Sequence, residues 1–178
     1  MRFDMLEKVD FRAELYGLDI ARILALRENG ARLMPLVRGE CVSTPALEAV
    51  KQLSAPSSVQ AGLYLYFSCW DEAHSMADSL ENADGYFWHA IVHRQEPDAW
   101  NSGYWFQRVG THPTYSRLAA EATEAGYGSG SAWDPLAFVE FCESARKRPG
   151  SKEERLAMVV QRLEWQLLFD HCARGSAR

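Results

Sequence analysis

Apolar positions recur with helical spacing along almost the whole chain, and only one stretch invites another reading. Between Phe11 and Glu28, the residues Phe11, Leu15, Leu18, Ile20, Ile23 and Leu24 form a broad stripe, and Asn29-Gly30 follows as a C-terminal stop. Thr44-Pro45 reads as an N-cap with proline in the first helical position, opening a short helix that runs to Leu53. The run Leu63 to Trp70 (LYLYFSCW) is the one place where a strand can be argued. Its continuation through Asp71 to Asp78 predicts one long buried helix instead, because the combined length far exceeds an ordinary strand.

The second half is more strongly punctuated. Glu81 to Gly85 (ENADG) reads as a tight helix–helix turn with Asn82 or Asp84 as cap. A helix from Tyr86 to Gln95 ends where Pro97 restricts Glu96, and Pro97-Asp98 restarts a helix carrying Trp100 through Arg108. Tyr115 to Ala125 is the next helix, Asp134-Pro135 opens another to Ala145, and the capping box Ser151-Lys-Glu-Glu154 opens the last. Leu156, Val159, Val160, Leu163, Leu167 and Leu168 form the apolar face of that final helix. The glycine-rich segment 126–131 is expected to be a mobile loop, with a lid as its functional reading. No repeat of fixed period appears. The pattern predicts an all-α fold, a single domain over residues 1–178 built as an irregular bundle of about seven or eight helices.

Composition narrows the function classes. Nineteen Lys and Arg against 24 Asp and Glu give a formal charge of −5, which argues against a nucleic-acid partner. No apolar run reaches the roughly 20 residues of a membrane span. Residues 1–10 alternate apolar and charged positions without the apolar core of a signal peptide, so a cytoplasmic location is expected. The cysteines Cys41, Cys69, Cys142 and Cys172 are far apart and form no CxxC pair, so all four are expected to be reduced core residues.

Candidate chemistry concentrates in one segment. Trp70 to Pro113 holds four of the five histidines, four of the six tryptophans and seven carboxylates. His89 and His93 are four apart, the spacing by which one helix offers two imidazoles to one metal ion. Asp71 and His74 form a D-x-x-H pair on the preceding helix, similar to the carboxylate-x-x-His element that helix bundles aim at metal centres. A reversal near Asn82 brings His74 and His89 to similar height, so His74, His89, His93 and Asp71 are the candidate ligands of one divalent metal ion, with the equal alternative that His89 or His93 holds an anionic or hydroxylated small molecule and no metal is bound. A second carboxylate-x-x-His is missing between Asp84 and Gln95, so a di-iron centre is not expected. The alternative for each histidine is a buried ring bonded to backbone, and for Asp98 a plain helix cap.

Beyond His93 come Arg94, Glu96, Asp98, Asn101, Tyr104, Trp105 and Arg108. Asn101, Trp105 and Arg108 share one helix face. Aromatics beside Asn, Asp and Arg suit a planar or sugar-like ligand, although rings at helical spacing also serve as core.

The stretch Trp88 to Pro113, WHAIVHRQEPDAWNSGYWFQRVGTHP, carries the pattern H-x-x-x-H-R-x-E-x-D-x-x-N-x-x-Y-W followed by R-V-G-x-H-P. It resembles a motif of a family of bacterial and fungal proteins without an assigned function, and the upstream D-E-A-H and downstream E-W-Q-L-L-F-D (Glu164 to Asp170) are similar as well. The resemblance implies a shared site and brings no reaction with it. Three readings follow. The first is a pocket for a small anionic or hydroxylated molecule with hydrolytic activity, in which His89 and His93 are ligands or base, Glu96 and Asp98 orient them, and Arg94 or Arg108 meets an anion, with Asn101, Tyr104 and Trp105 as further ligand contacts. The second is the same pocket without turnover. The third is a structural module whose polar motif locks helix junctions. A DinB-like metal bundle, also helical with an HxxxH pair and a third histidine, is the alternative architecture; its lone histidine lies farther upstream than His74 does here.

Overall fold

The computed structural model describes residues 11–128 and 132–175; the charged stretch 1–10 and residues 129–131 of the expected glycine-rich loop lie outside the described residues. Among those described, the fold is all-α with no strand. Short 3₁₀ turns at Ala13–Tyr16 and Glu28–Gly30 flank α1 (Leu18–Ala25). Then come α2 (Thr44–Gln52), α3 (Ser57–Tyr66), α4 (Trp70–Asp78), α5 (Ala83–Gln95), α6 (Ala99–Val109), α7 (Tyr115–Ala125), α8 (Pro135–Ala145) and α9 (Lys152–Gly175). None of these helices is long and apolar enough to cross a membrane.

The count exceeds the expected seven or eight because one expected helix is two. The run from Leu63 to Asp78 breaks at Ser68, which sits at φ 58. There the amide of Ser68 donates to the Leu65 carbonyl and that of Cys69 to the Tyr64 carbonyl, the paired bonds of a Schellman stop. Serine replaces the usual glycine, and Arg32 holds it through a 3.1 Å bond to the Ser68 hydroxyl. The first predicted helix is also interrupted, at Gly17 with φ 94, and Leu15 and Leu18 of its stripe are exposed. The cap of α2 is Ser43 rather than Thr44, its hydroxyl accepting from the Ala46 amide.

The break has a second consequence. It turns Cys69 toward the loop that precedes α2, where Cys69 and Cys41 form a disulfide. The expectation that all four cysteines are reduced is therefore corrected for this pair; Cys142 and Cys172 are buried and take part in no disulfide. Sequence separation hid the pairing, because the two positions are 28 residues apart.

At the centre stands α5, buried on nearly every side through Phe87, Trp88, Ala90, Ile91 and Val92 as well as its polar residues. Two antiparallel hairpins hold it. The α4–α5 turn is capped by Asn82, whose side-chain oxygen accepts from the Gly85 amide. Gly85 is required there, since a Cβ would lie 2.2 Å from the Cβ of Leu80. The α5–α6 turn is capped by Asp98, which accepts from the Asn101 amide.

The 24-residue helix α9 runs about 36 Å and backs the whole assembly. Its Trp165 and Phe169 join the core under α3 and α5, while Val160, Leu163 and Leu167 pack with α7 and α8 in a second apolar cluster. Trp165 donates to the Gly62 carbonyl at 2.7 Å, and a Cβ at Gly62 would meet Trp88 at 2.9 Å. Close approach of α3 to α5 therefore depends on glycine at that position.

Candidate metal centre

The α4–α5 hairpin sets the register of the site. His89 and His93 lie one turn apart on α5 with their rings stacked at 4.9 Å, and His74 of α4 stands edge-on to both, with centroids 4.8 and 5.1 Å away. The Nε2 atoms of His74 and His89 are 3.1 Å apart. Ligand nitrogens of His74, His89 and His93 all fall within 4.8 Å of one another. Two indoles wall the cluster: Trp70 stacks on His74 at 4.9 Å, and Trp105 of α6 stacks on His89 at 4.0 Å. Trp70 is fixed by its own bond to the Val92 carbonyl.

Carboxylates stand behind two of the three rings. Glu96 Oε2 lies 3.1 Å from His93 Nδ1, and Asp78 Oδ1 lies 3.9 Å from His89 Nδ1. A carboxylate at Nδ1 fixes the proton there and turns the Nε2 lone pair outward, the arrangement found behind metal-ligating histidines. His89 Nδ1 is buried without a hydrogen bond, and Asp78, the nearest carboxylate to it, is largely exposed. Burial, then the charges of His93 and His74, lower the pKa of His89 to about 4. His93 is also lowered by burial, against an opposing pull from Glu96. Neutral imidazoles are the form that binds a metal.

The residues expected at this site are sorted by the structure into three groups. His74, His89 and His93 are brought together, with Glu96 behind them. Asp71 is not: its carboxylate turns away to Arg38, at 2.9 and 3.0 Å, and Arg38 in turn covers Trp70. The close-set donor group holds three imidazoles and no carboxylate. Asp98 does lie within ligand range of His93 and Glu96, but both carboxylates already have partners, as helix cap and as histidine partner.

Arg94 is the second correction. It is fully buried, bonded through both terminal nitrogens to the equally buried Glu164 of α9, with Gln161 alongside. α5 presents its histidines on one face and this arginine on another, so Arg94 ties α5 to α9 and does not meet a ligand. Gln161 extends the tie to the carbonyls of Met34 and Pro35, and Arg146 reaches the Arg94 carbonyl. Among the expected ligand contacts, Trp105 lies on His89, Tyr104 and Arg108 pack against Trp105 from the same helix, and Asn101 sits half-buried in the first turn of α6.

A second polar group was not foreseen. His112 Nδ1 accepts from the Thr114 amide at 3.3 Å and pairs with the Thr114 hydroxyl at 2.8 Å; its Nε2–H donates to Asp84 at 2.9 Å. His171 of α9 approaches the same carboxylate at 3.4 Å. Burial raises the pKa of Asp84, but the His112 bond and the nearby histidine charges outweigh it and leave the carboxyl below its usual range. Both nitrogens of His112 are engaged, so this group joins the starts of α5 and α7 to α9. The sequence pattern marked His112 in its R-V-G-x-H-P run and Asp84 as a candidate cap, but nothing in it joined the two.

Gly126, at φ 100, closes α7 with the Schellman bond from the Tyr127 amide to the Ala122 carbonyl. The side chain of Tyr127 packs onto Trp133, Phe138 and Phe141. Compared with family models, with curated proteins and with solved structures, the chain matches none.

Proposed function

We propose that the protein binds one divalent transition-metal ion of the zinc class through His74, His89 and His93, and uses it in the hydrolysis of a small molecule. The convergence of three imidazoles from two helices carries this reading. In a tetrahedral zinc site with Zn–N bonds near 2.0 Å, neighbouring ligand nitrogens are about 3.3 Å apart. The His74–His89 separation of 3.1 Å is close to that edge. Imidazole donors favour zinc, copper, iron or nickel over magnesium or calcium, which take oxygen.

Three imidazoles with no fourth close-set donor among the described residues match catalytic rather than structural zinc sites, which are closed by four. An ion held this way supplies an activated water near neutral pH. The chain's own residues do the rest. Glu96 holds the His93 ring, Trp70 and Trp105 keep two faces of the cluster dry, and Asp78, at the solvent edge, is placed to accept a proton or to hold the His89 ring.

The test is the metal content of protein purified without an affinity tag, read by mass spectrometry. About one equivalent of a transition metal is expected in the parent chain, with a large loss in a His74→Ala variant that keeps its helical circular dichroism. A parent chain that neither retains nor takes up stoichiometric metal would overturn the reading.

A further inference from the structure

Arg108 is an exposed cation with an unusual set of neighbours. Its terminal nitrogens donate to two phenol oxygens, Tyr86 at 3.1 Å and Tyr104 at 3.4 Å. Its guanidinium carbon lies over the Tyr86 ring at 4.7 Å and beside the rings of Trp105 and Tyr104 at 5.6 and 5.8 Å. Among the described residues, no carboxylate lies within ion-pair distance of it. Arg38, Arg94, Arg117, Arg146 and Arg174 each face an Asp or Glu instead.

The α5–α6 hairpin places this cation relative to the histidines. Tyr86 and His89 are one turn apart on α5, and Arg108 and Trp105 are one turn apart on α6. Trp105 lies on His89 and Arg108 lies on Tyr86, so the two helices are in register along this seam. Trp105 links the two groups, lying 4.0 Å from the His89 ring and 5.6 Å from the guanidinium carbon. A guanidinium has five N–H donors in a flat fork, and two phenols leave most of them for a further acceptor. The aromatic rings fix the orientation of the fork without neutralising it.

We propose that Arg108 is the anion-recognition arm of the metal centre. It binds the carboxylate or phosphate of a small organic anion whose reacting group lies beside His89. The flat carbon part of that anion lies along Trp105 and Tyr104; Tyr104 is 41% exposed and stacks with Trp100, itself 79% exposed. This inference rests on the three-histidine metal reading and narrows its substrate to organic anions.

The experiment uses the full chain loaded with cobalt(II) and titrated with phenyl phosphate, with benzoate in parallel to tell phosphate from carboxylate. The cobalt visible band reports on the histidines, and tryptophan fluorescence reports on Trp105 and Trp100. In the parent protein, one of the two probes is expected to bind saturably and move both signals. The R108Q variant is expected to load cobalt with the parent's stoichiometry and band, and to bind that probe about tenfold or more weakly, the scale set by charge-assisted hydrogen bonds. R108K, which restores the charge without the fork, is expected to recover binding in part. Equal binding by R108Q and parent, or no binding of either probe to the cobalt-loaded parent, would overturn the inference while leaving the metal reading intact. Failure of cobalt to bind at all would overturn the metal reading and this inference with it.

Discussion

The Nε2 atoms of His74 and His89 face each other across 3.1 Å, from two different helices, with a third imidazole, His93, beside them. In metal-free protein one ring of this pair must donate to the other, so their tautomers differ. If His74 and His89 held the proposed ion, both would offer it their Nε2 lone pairs and keep their protons at Nδ1. His89 Nδ1, next to Asp78, and His93 Nδ1, next to Glu96, are the positions that then carry protons.

Glu96 is accordingly a positioning residue for His93. Glu96→Gln is expected to weaken zinc affinity by about 10- to 100-fold, the usual cost of losing a partner behind a metal-ligating histidine, with little change in thermal stability. Competition against a chromophoric chelator measures the affinity. An unchanged value would show that the Glu96 contact has no part in orienting the ring.

The Arg94–Glu164 pair has a different expected signature. Removing one partner leaves an uncompensated buried charge, so Arg94→Met is expected to lower folding stability by about 3–5 kcal/mol in urea unfolding. The double variant Arg94→Met, Glu164→Met is expected to recover much of that loss. If Arg94 met a ligand instead, the single variant would fold normally and lose only binding.

These two residues also show where the sequence was readable. The i, i+4 spacing of His89 and His93, the ENADG turn and the cap at Asp98 are local signals, and they are enough to bring His74 to the height of His89. The role of Arg94 was not local, because its partner lies 70 residues away on α9. Asp71 shares a helix face with His74 by spacing alone, but Arg38, from a segment without periodicity, draws its carboxylate outward. The all-α fold was legible for the same reason as the hairpin, since each helix carries its own stripe or cap. The break at Ser68 was not, because serine gives no advance sign of a positive φ.

Asp84 supplies a pH dependence. Its carboxyl lies below its usual range in the folded chain, through the His112 bond and the nearby histidine charges acting against burial. A depressed folded pKa gives stability that is complete above the unfolded value near 4 and is lost as pH falls through the folded value. Asp84→Ala is therefore expected to be about 1–3 kcal/mol less stable than the parent at pH 7, the scale of a charge-assisted hydrogen bond. That difference should shrink as the pH drops below 4. Unfolding curves of both proteins between pH 7 and pH 3 check it, and a gap that stays constant would contradict the assignment.

The cysteines divide by chemistry. Burial raises the thiol pKa of both Cys142 and Cys172 to about 12, so neither should react with iodoacetamide at pH 8 in folded protein. Two thiols are expected after unfolding and four after unfolding with reductant. Replacing Cys41 and Cys69 with serine is expected to cost about 2–4 kcal/mol, as for a loop of that length. Four reactive thiols without reductant would contradict the disulfide.

The central claim, three imidazoles on one ion, is most directly tested by X-ray absorption at the zinc edge of stoichiometrically loaded protein. The account predicts a shell near 2.0 Å of three imidazole nitrogens completed by oxygen, reduced to two imidazoles or abolished in His74→Ala. A shell containing sulfur near 2.3 Å, or one with imidazole scattering unaffected by His74→Ala, would contradict it.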